Sequence, residues 1–327
     1  MTHLSVFPNV RPRSVPEEQK GVYADLDELI RLQHQASGFS FLPKQPITSL
    51  LSGRHASRLR GRGLNFEEIR RYLPGDDIRS MDWKVTARTK KPHTRVYTEE
   101  RDRPAILVID QRLSMFFGSQ VAMKSVTAAE TAALAAWRAI SMGDRVGALV
   151  FNDTDTSEIK PHRSRKRVIH VLQTVTQYNH ALKIDSGTKS NPAMLNEALK
   201  KVVHLAKHDH LVCIISDLNG ADSETEGFVS SIAKHNDLIV CLIYDLLETQ
   251  LPKGGTLVVS DGELQLEIDT SKGKAQKDFA DIFDKRLQET KEWLSKRGIP
   301  ILPLNTSEGV AEQVRHLLGY SPRTRRG

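Results

Sequence analysis

The stretch "AILVIDQRLSMFFG", Ala105 to Gly118, decides the fold. It opens with a continuous apolar run that closes on Asp110. The run has strand length and no polar–apolar alternation, so neither of its faces is expected to meet water. The loop after Asp110 carries Arg112 and Ser114 at two-residue steps. An aspartate followed by two hydroxyls at that spacing suits a hard cation, because Mg²⁺ takes about six short oxygen contacts. Here a guanidinium occupies the first hydroxyl position, and it has no lone pair to give a metal.

Working outward, strands and helices alternate. "KSVTAAETAALAAWRAISM" (Lys124–Met142) has helical spacing and stops at Gly143. "RVGALVFN" (Arg145–Asn152) predicts a second core strand, and the polar, alternating "DTSEIKPH" (Asp155–His162) an edge strand. "RKRVIHVLQTV" (Arg165–Val175) reads as a helix. "NPAMLNEALKKVVHLAKH" (Asn191–His208) reads as another, with Asn191 as its cap and Pro192 in its first turn. "HLVCIISD" (His210–Asp217) and "LIVCLIYD" (Leu238–Asp245) are further apolar strands, with a short helix between them near Glu224–Lys234. "GTLVVSDGELQLEID" (Gly255–Asp269) is a hairpin around Asp261-Gly262. A long helix near Gln276–Lys296, a strand at Ile299–Leu304 and a helix near Glu308–Leu318 follow. Apolar strands separated by helices predict a doubly wound, mainly parallel sheet covered on both faces. Ligands of such sheets bind beyond the carboxyl ends of strands. Asp110 and Asp217 both fall at such ends, on one rim.

Before Ala105 the chain differs. "DLDELIRLQHQAS" (Asp25–Ser37) predicts a helix, and Gly53–Pro104 is rich in arginine and turns, with "TRVYTE" (Thr94–Glu99) as a strand. The net charge of +7 is local: residues 1–104 hold 19 Lys/Arg against 13 Asp/Glu, and the remainder 28 against 27. The basic part is expected to attract an acidic protein surface. The expected organisation is a disordered tail over 1–20 and a helix with an Arg-rich β subdomain over 21–104. The doubly wound domain covers 105–320, and a basic tail 321–327. No apolar run reaches the roughly 18–20 residues of a membrane helix, and the N-terminus has no apolar secretion core. A cytoplasmic protein without membrane insertion is expected. Cys213 and Cys241 lie inside apolar strands and read as reduced core residues. No phosphate-binding glycine loop and no G-x-S-x-G elbow occur.

Asp110, Ser114 and Asp217, with Thr188 of "DSGTKSNPAMLNEAL", resemble the D-x-S-x-S, Thr and Asp pattern by which von Willebrand factor A-type domains hold Mg²⁺. Three arrangements are open at Arg112. It pairs with Asp110 or Asp217 and replaces the cation, or it swings outward from a weakened metal site. In the third, the rim is structural, with Asp110 capping its own turn.

The segment "GRHASRLRGRGLNFEEIRRYLPGDDIRSMDWKVTARTKKPHTRVYTEERDRP" (Gly53–Pro104) resembles the signature of domain-of-unknown-function family 58 nearly throughout. Gly53, His55, Ser57, Gly61 and Gly63 match its first part. Arg71, Tyr72, Pro74, Gly75, Asp76, Asp77, Arg79, Asp82, Trp83, Ala87, Arg88 and Thr89 match its second. "SMFFG", "GDRVGALVFND" and "IISD" extend the likeness to Asp217. Asn65, Met81 and Arg112 depart from it. The resemblance implies a von Willebrand factor A-like fold with a small N-terminal β-rich subdomain. It also implies a non-enzymatic adaptor that works with a MoxR-type AAA+ ATPase and other von Willebrand factor A proteins in protein complex maturation. No cofactor is implied, and Arg112 sets this chain apart from the Mg²⁺-binding pattern.

In the signature, Asp76, Asp77 and Asp82 are expected to pair with arginines between Arg54 and Arg88 and so pin the basic segment to the domain. The same region also reads as an interaction surface formed by Arg58, Arg60, Arg62, Tyr72, Asp76, Asp77, Asp82, Trp83 and Arg88. Two alternatives stand beside this reading, the second from another class. One is Mg²⁺-dependent protein binding through the rim. The other is nucleic-acid binding through "SRLRGRG" (Ser57–Gly63), or a metal nuclease using Asp76, Asp77 and Asp82–Lys84. The interleaved acids weigh against nucleic acid.

Overall fold

The computed structural model describes residues 16, 19–36, 64–74, 76–99, 104–183, 189–249, 256–260, 265–269, 285 and 288–318. The chain divides into two compact units. The larger comprises Met1–Pro43 with Arg103–Gly327, and the smaller is Lys44–Asp102.

The larger unit is built on β3 (Ala105–Asp110), β4 (Val146–Phe151), β5 (Thr156–His162), β6 (Leu211–Ser216), β7 (Asp237–Tyr244) and β10 (Ile301–Asn305), lying in the order β10-β7-β6-β3-β4-β5. Every pairing is parallel except β4 with β5. The predicted edge strand is therefore an edge, and it runs against its neighbour. The first and fourth of these strands to be made, β3 and β6, lie side by side. The winding reverses there, and ligands of doubly wound sheets sit at such a reversal.

The apolar run of β3 shows why the sheet is covered twice. Ile106 and Val108 enter one buried cluster with α5 (Met194–Leu205) and α6 (Ser223–Ala233). Leu107 and Ile109 enter the other, with α3 (Lys124–Ser141) and α4 (Arg165–His180). Cys213 and Cys241 lie in that second layer as free thiols, with sulfurs 3.7 Å apart. Beyond β10, α8 (Val310–Leu317) packs back on the sheet.

The helix expected at Asp25–Ser37 is shorter. It spans α1 (Leu26–Arg31) and ends in a 3-10 turn, Leu32–His34. It belongs to the large unit and not, as its place in the sequence implied, to the Arg-rich subdomain. The reason is where its polar groups go. Trp137 Nε1 donates to Leu29 O at 3.0 Å, Ala24 N to Asn179 Oδ1 at 2.7 Å, and Tyr23 Oη to Leu182 O at 3.1 Å. Leu29 and Ala24 are buried with α3 and α4.

A second correction concerns α5, which begins at Met194. Asn191 does not cap it. Its amide N–H donates to Asp153 Oδ1 at 2.7 Å, and its side-chain Nδ2 donates to Asp153 O at 3.2 Å. The helix expected over Gln276–Lys296 lies mostly outside the described residues, but its end is helical and stops before Gly298 at φ +67°. The expected tails, 1–20 and 321–327, fall almost wholly outside the described residues.

Glu130 on α3 is a conflict within this packing. Burial, with the carboxylate of Glu28 adding to it, pushes Glu130 up to about 7. Its folded value lies above the ordinary 4.5, so folding favours the protonated form. Stability should therefore fall as pH rises from about 4.5 through about 7. Glu130→Gln is expected to gain about 1–2 kcal/mol over wild type at pH 8 and almost nothing at pH 4, the figure being reduced because the residue is only half-buried. Thermal melts at the two pH values measure this, and an equal gain at both contradicts it.

The smaller unit holds β1 (Leu64–Arg71) and β2 (His93–Glu99), paired antiparallel with a bulge between Phe66 and Glu68. The 3-10 turn Ile78–Ser80 and α2 (Trp83–Thr89) lie between them. β8 (Thr256–Ser260) and β9 (Gln265–Asp269) form the expected hairpin.

Candidate functional site: a rim filled by its own cations

Asp110 ends β3, and Asp217 follows the last residue of β6 on the neighbouring strand. Parallel pairing brings both carboxylates to one rim. Arg112 turns inward between them. Its Nη2 lies 2.7 Å from Asp110 Oδ2 and 3.6 Å from Asp217 Oδ1. Its Nε donates to Asp110 Oδ1 at 3.0 Å, and its Nη1 to Pro192 O at 3.2 Å and Asn219 O at 3.0 Å. The guanidinium also stands 5.6 Å from the Phe151 ring centroid. Arg112 is 1% exposed. The outward arrangement is therefore not the one adopted. The other two coexist, because Asp110 Oδ1 also accepts from the Arg112 backbone N–H at 3.0 Å and so closes its own turn.

A second cation completes the rim. Lys124, the first residue of α3, places Nζ 3.0 Å from Asp217 Oδ2 and 2.7 Å from Glu248 Oε1. Glu248 comes from α7 (Leu246–Thr249). A lysine at a helix N-terminus opposes the helix dipole, so its burial there needs the two carboxylates. Burial alone would raise Asp217, but Lys124 and Arg112 outweigh it and hold Asp217 at about 2. Asp110 shows the opposite balance. Burial pushes it above the usual carboxylate range, and Arg112 and Ser216 Oγ, which donates at 2.6 Å, pull it back.

Two more carboxylates tie the rim loops. Asp153, after β4, accepts from Leu113 N at 2.6 Å through Oδ2. Asp245, after β7, accepts from Ser119 N at 2.9 Å, from Ser119 Oγ at 2.5 Å and from Thr306 Oγ1.

The donor set does not fit Mg²⁺. Both oxygens of Asp110 are engaged by Arg112, and those of Asp217 by Lys124, Arg112 and Asn219 N. A divalent ion would meet two fixed positive charges where it needs oxygen lone pairs. No group of three or more His, Cys, Asp or Glu side chains able to hold a metal occurs among the described residues. Ser114 Oγ is buried and has no hydrogen-bond partner. Thr188, the fourth expected ligand, lies outside the described residues.

In the small unit, the expected acid–arginine network is present but local. Asp76 accepts from Arg70 Nη1 at 2.9 Å and Nη2 at 2.8 Å, and from Leu73 N at 2.8 Å. Asp77 binds no arginine side chain among the described residues; it accepts from Arg79 N at 2.9 Å and starts the 3-10 turn. Asp82 pairs with Arg95 at 2.8 Å, outside the expected Arg54–Arg88 range, because antiparallel pairing brings β2 back beside it. Its side chain also accepts from Val85 N, capping α2. The backbone N–H of Val85, then Arg95, holds Asp82 below its ordinary value. Asp76 and Asp82 thus hold the turn and the helix start with both oxygens, while Asp77 is exposed. Tyr72 is half-buried, and Trp83 and Arg88 are exposed. Arg58, Arg60 and Arg62, with the nucleic-acid reading built on them, lie outside the described residues.

Sequence reasoning missed Lys124, Glu248, Asp245, Asp153, β1 and α2. Lys124 had a signal: a basic residue opens an otherwise apolar helix, at the end where positive charge is disfavoured. β1 was obscured by its bulge, which breaks the alternation Leu64, Phe66, Ile69.

This sheet order, with one antiparallel edge and paired carboxylates on the carboxyl rim, defines a von Willebrand factor A-like α/β domain. The chain belongs to the family described as protein of unknown function DUF58, whose model matches residues 68–289. An uncharacterised protein of Mycobacterium bovis is 28% identical over 274 residues, 83% of this chain and 84% of its own length. An uncharacterised protein of Mycobacterium tuberculosis matches to the same extent. Among solved structures, the conserved hypothetical protein BatB of Bacteroides thetaiotaomicron superposes with a TM-score of 0.38 at 14% identity, covering 64% of this chain and 93% of its own. The SpRpn10 VWA domain gives 0.34 at 12%, covering 66% and 95%.

Proposed function

We propose that the chain is a non-catalytic protein-interaction module that acts in the cytoplasm as an adaptor for a MoxR-type AAA+ ATPase during protein complex maturation. The observation that carries the non-catalytic part is the filled rim. At the place where a doubly wound sheet offers a ligand site, Arg112 and Lys124 neutralise the carboxylates and are almost inaccessible. A buried, ion-paired cluster of this kind orders loops, which supports a structural rim in place of a substrate site. The ATPase partnership rests on the family resemblance, and the chain's lack of a phosphate-binding glycine loop agrees with nucleotide hydrolysis by a partner. No described helix is long and apolar enough to cross a membrane.

Affinity purification of the tagged chain from its native host, with ATP present and at low salt, is expected to recover a MoxR-type ATPase. Recovery of none under those conditions overturns the partnership.

A further inference from the structure

We propose that the connection from β1 to α2 is a docking surface for an acidic protein segment that carries apolar anchor residues. The inference rests on the interaction-module reading and names the site and the chemistry of the partner.

The first observation is exposed apolar area. Leu73, Ile78 and Trp83 are 53%, 61% and 66% exposed, and with Ile69 they make up four of the seven exposed large hydrophobic side chains among the described residues. All four fall on one short stretch of chain. Scattered exposed apolar residues need no explanation, but a concentration on one connection marks a contact surface. Tryptophan is also among the side chains that most often anchor interfaces.

The second is charge. The acids of this stretch are spent on its own frame. Asp76 is held by Arg70 and the Leu73 N–H, Asp77 by the Arg79 N–H, and Asp82 by Arg95 and the Val85 N–H. The side chains of Arg79, Lys84 and Arg88 have no carboxylate partner among the described residues, and all three are exposed. Asp77 is exposed as well, so what faces outward is apolar and net positive, three cations against one carboxylate. The buried Asp82 also fixes the backbone that presents it, since it caps the helix whose first residue is Trp83. Such fixing lowers the ordering cost of binding.

The third is the kind of apolar group. A nucleic acid would use the positive charge and could stack on Trp83, but it gains little from the aliphatic tips of Leu73 and Ile78. A protein segment with acidic and apolar residues uses both properties.

The test measures anisotropy of three labelled probes with the full chain: a 15-residue peptide of interspersed Glu and Leu, a poly-Glu peptide of the same charge, and a dT15 oligonucleotide. The mixed peptide is expected to bind at least about tenfold more tightly than poly-Glu. Trp83→Ala, and separately Lys84→Glu with Arg88→Glu, are each expected to weaken it by at least about tenfold. All three positions are exposed, and unchanged thermal melts establish that the variants fold. The proposal is overturned if Trp83→Ala leaves peptide binding unchanged, or if dT15 binds as tightly as the mixed peptide. Failure of the partnership reads differently. Recovery of the ATPase undiminished by both variants removes this surface and keeps the adaptor, whereas peptide binding without any ATPase keeps the surface and removes the partnership.

Discussion

Arg112→Ala is expected to destabilise the chain by about 3–5 kcal/mol, the range for removing one partner of a buried ion pair. The loss has three sources. Asp110, fully buried, keeps only Ser216 Oγ and a backbone N–H as donors. Asp217 loses one of its two cations. The carbonyls of Pro192 and Asn219 lose the guanidinium that bridges them. Urea denaturation at pH 7 measures the change, and a loss below about 1 kcal/mol would show that the pair is not the structural centre of the rim. Arg112→Ser sharpens the question. It removes one cation and returns a hydroxyl beside Asp110, Ser114 and Asp217. Millimolar Mg²⁺ or Mn²⁺ is expected to raise its melting temperature, more so when Lys124→Ala is added, and to leave wild type unmoved. Saturable stabilisation of the wild type by either ion would sink the idea that the chain's own cations have replaced the metal.

Lys124→Met should be the second most damaging change, at about 3 kcal/mol near neutral pH. Methionine fills the space but leaves Asp217 and Glu248 facing each other without the ammonium between them. The pH dependence distinguishes this account from simple packing loss. In the wild type Asp217 is depressed to about 2, so its contribution is complete above about 4 and disappears as pH falls through about 2. Without Lys124 the carboxylate protonates at higher pH, and little remains to lose. The difference between variant and wild type should therefore shrink as pH falls from about 4 through about 2. A difference that stays constant over that range points to packing alone.

How far the sequence carried can be seen at particular residues. The strands β3, β6 and β7 were legible because burial on both faces writes an unbroken apolar run. The rim position of Asp110 and Asp217 followed from where those runs end. Arg112 was legible as a misfit but not in its direction, because direction depends on Asn219 and Pro192, some 80 and more residues away in sequence. Glu248, as the partner of Lys124, was hidden for the same reason: a salt bridge between residues 124 positions apart leaves no local pattern. The Asn191-Pro192 pair misled because it obeys a local capping rule, and Asp153 competes for Asn191 from another loop.

The placement of α1 bears on the order in which the chain assembles. Leu29 and Ala24 find their partners Trp137 and Asn179 108 and 155 residues further on, and the whole small unit is made in between. During synthesis the first helix must therefore wait, with its apolar face uncovered, until α4 has left the ribosome. Contacts of such long sequence separation form late and slow folding. Until α4 emerges and docks, the nascent chain is thus open to chaperones and to aggregation, and substitutions at Asn179 should delay the docking.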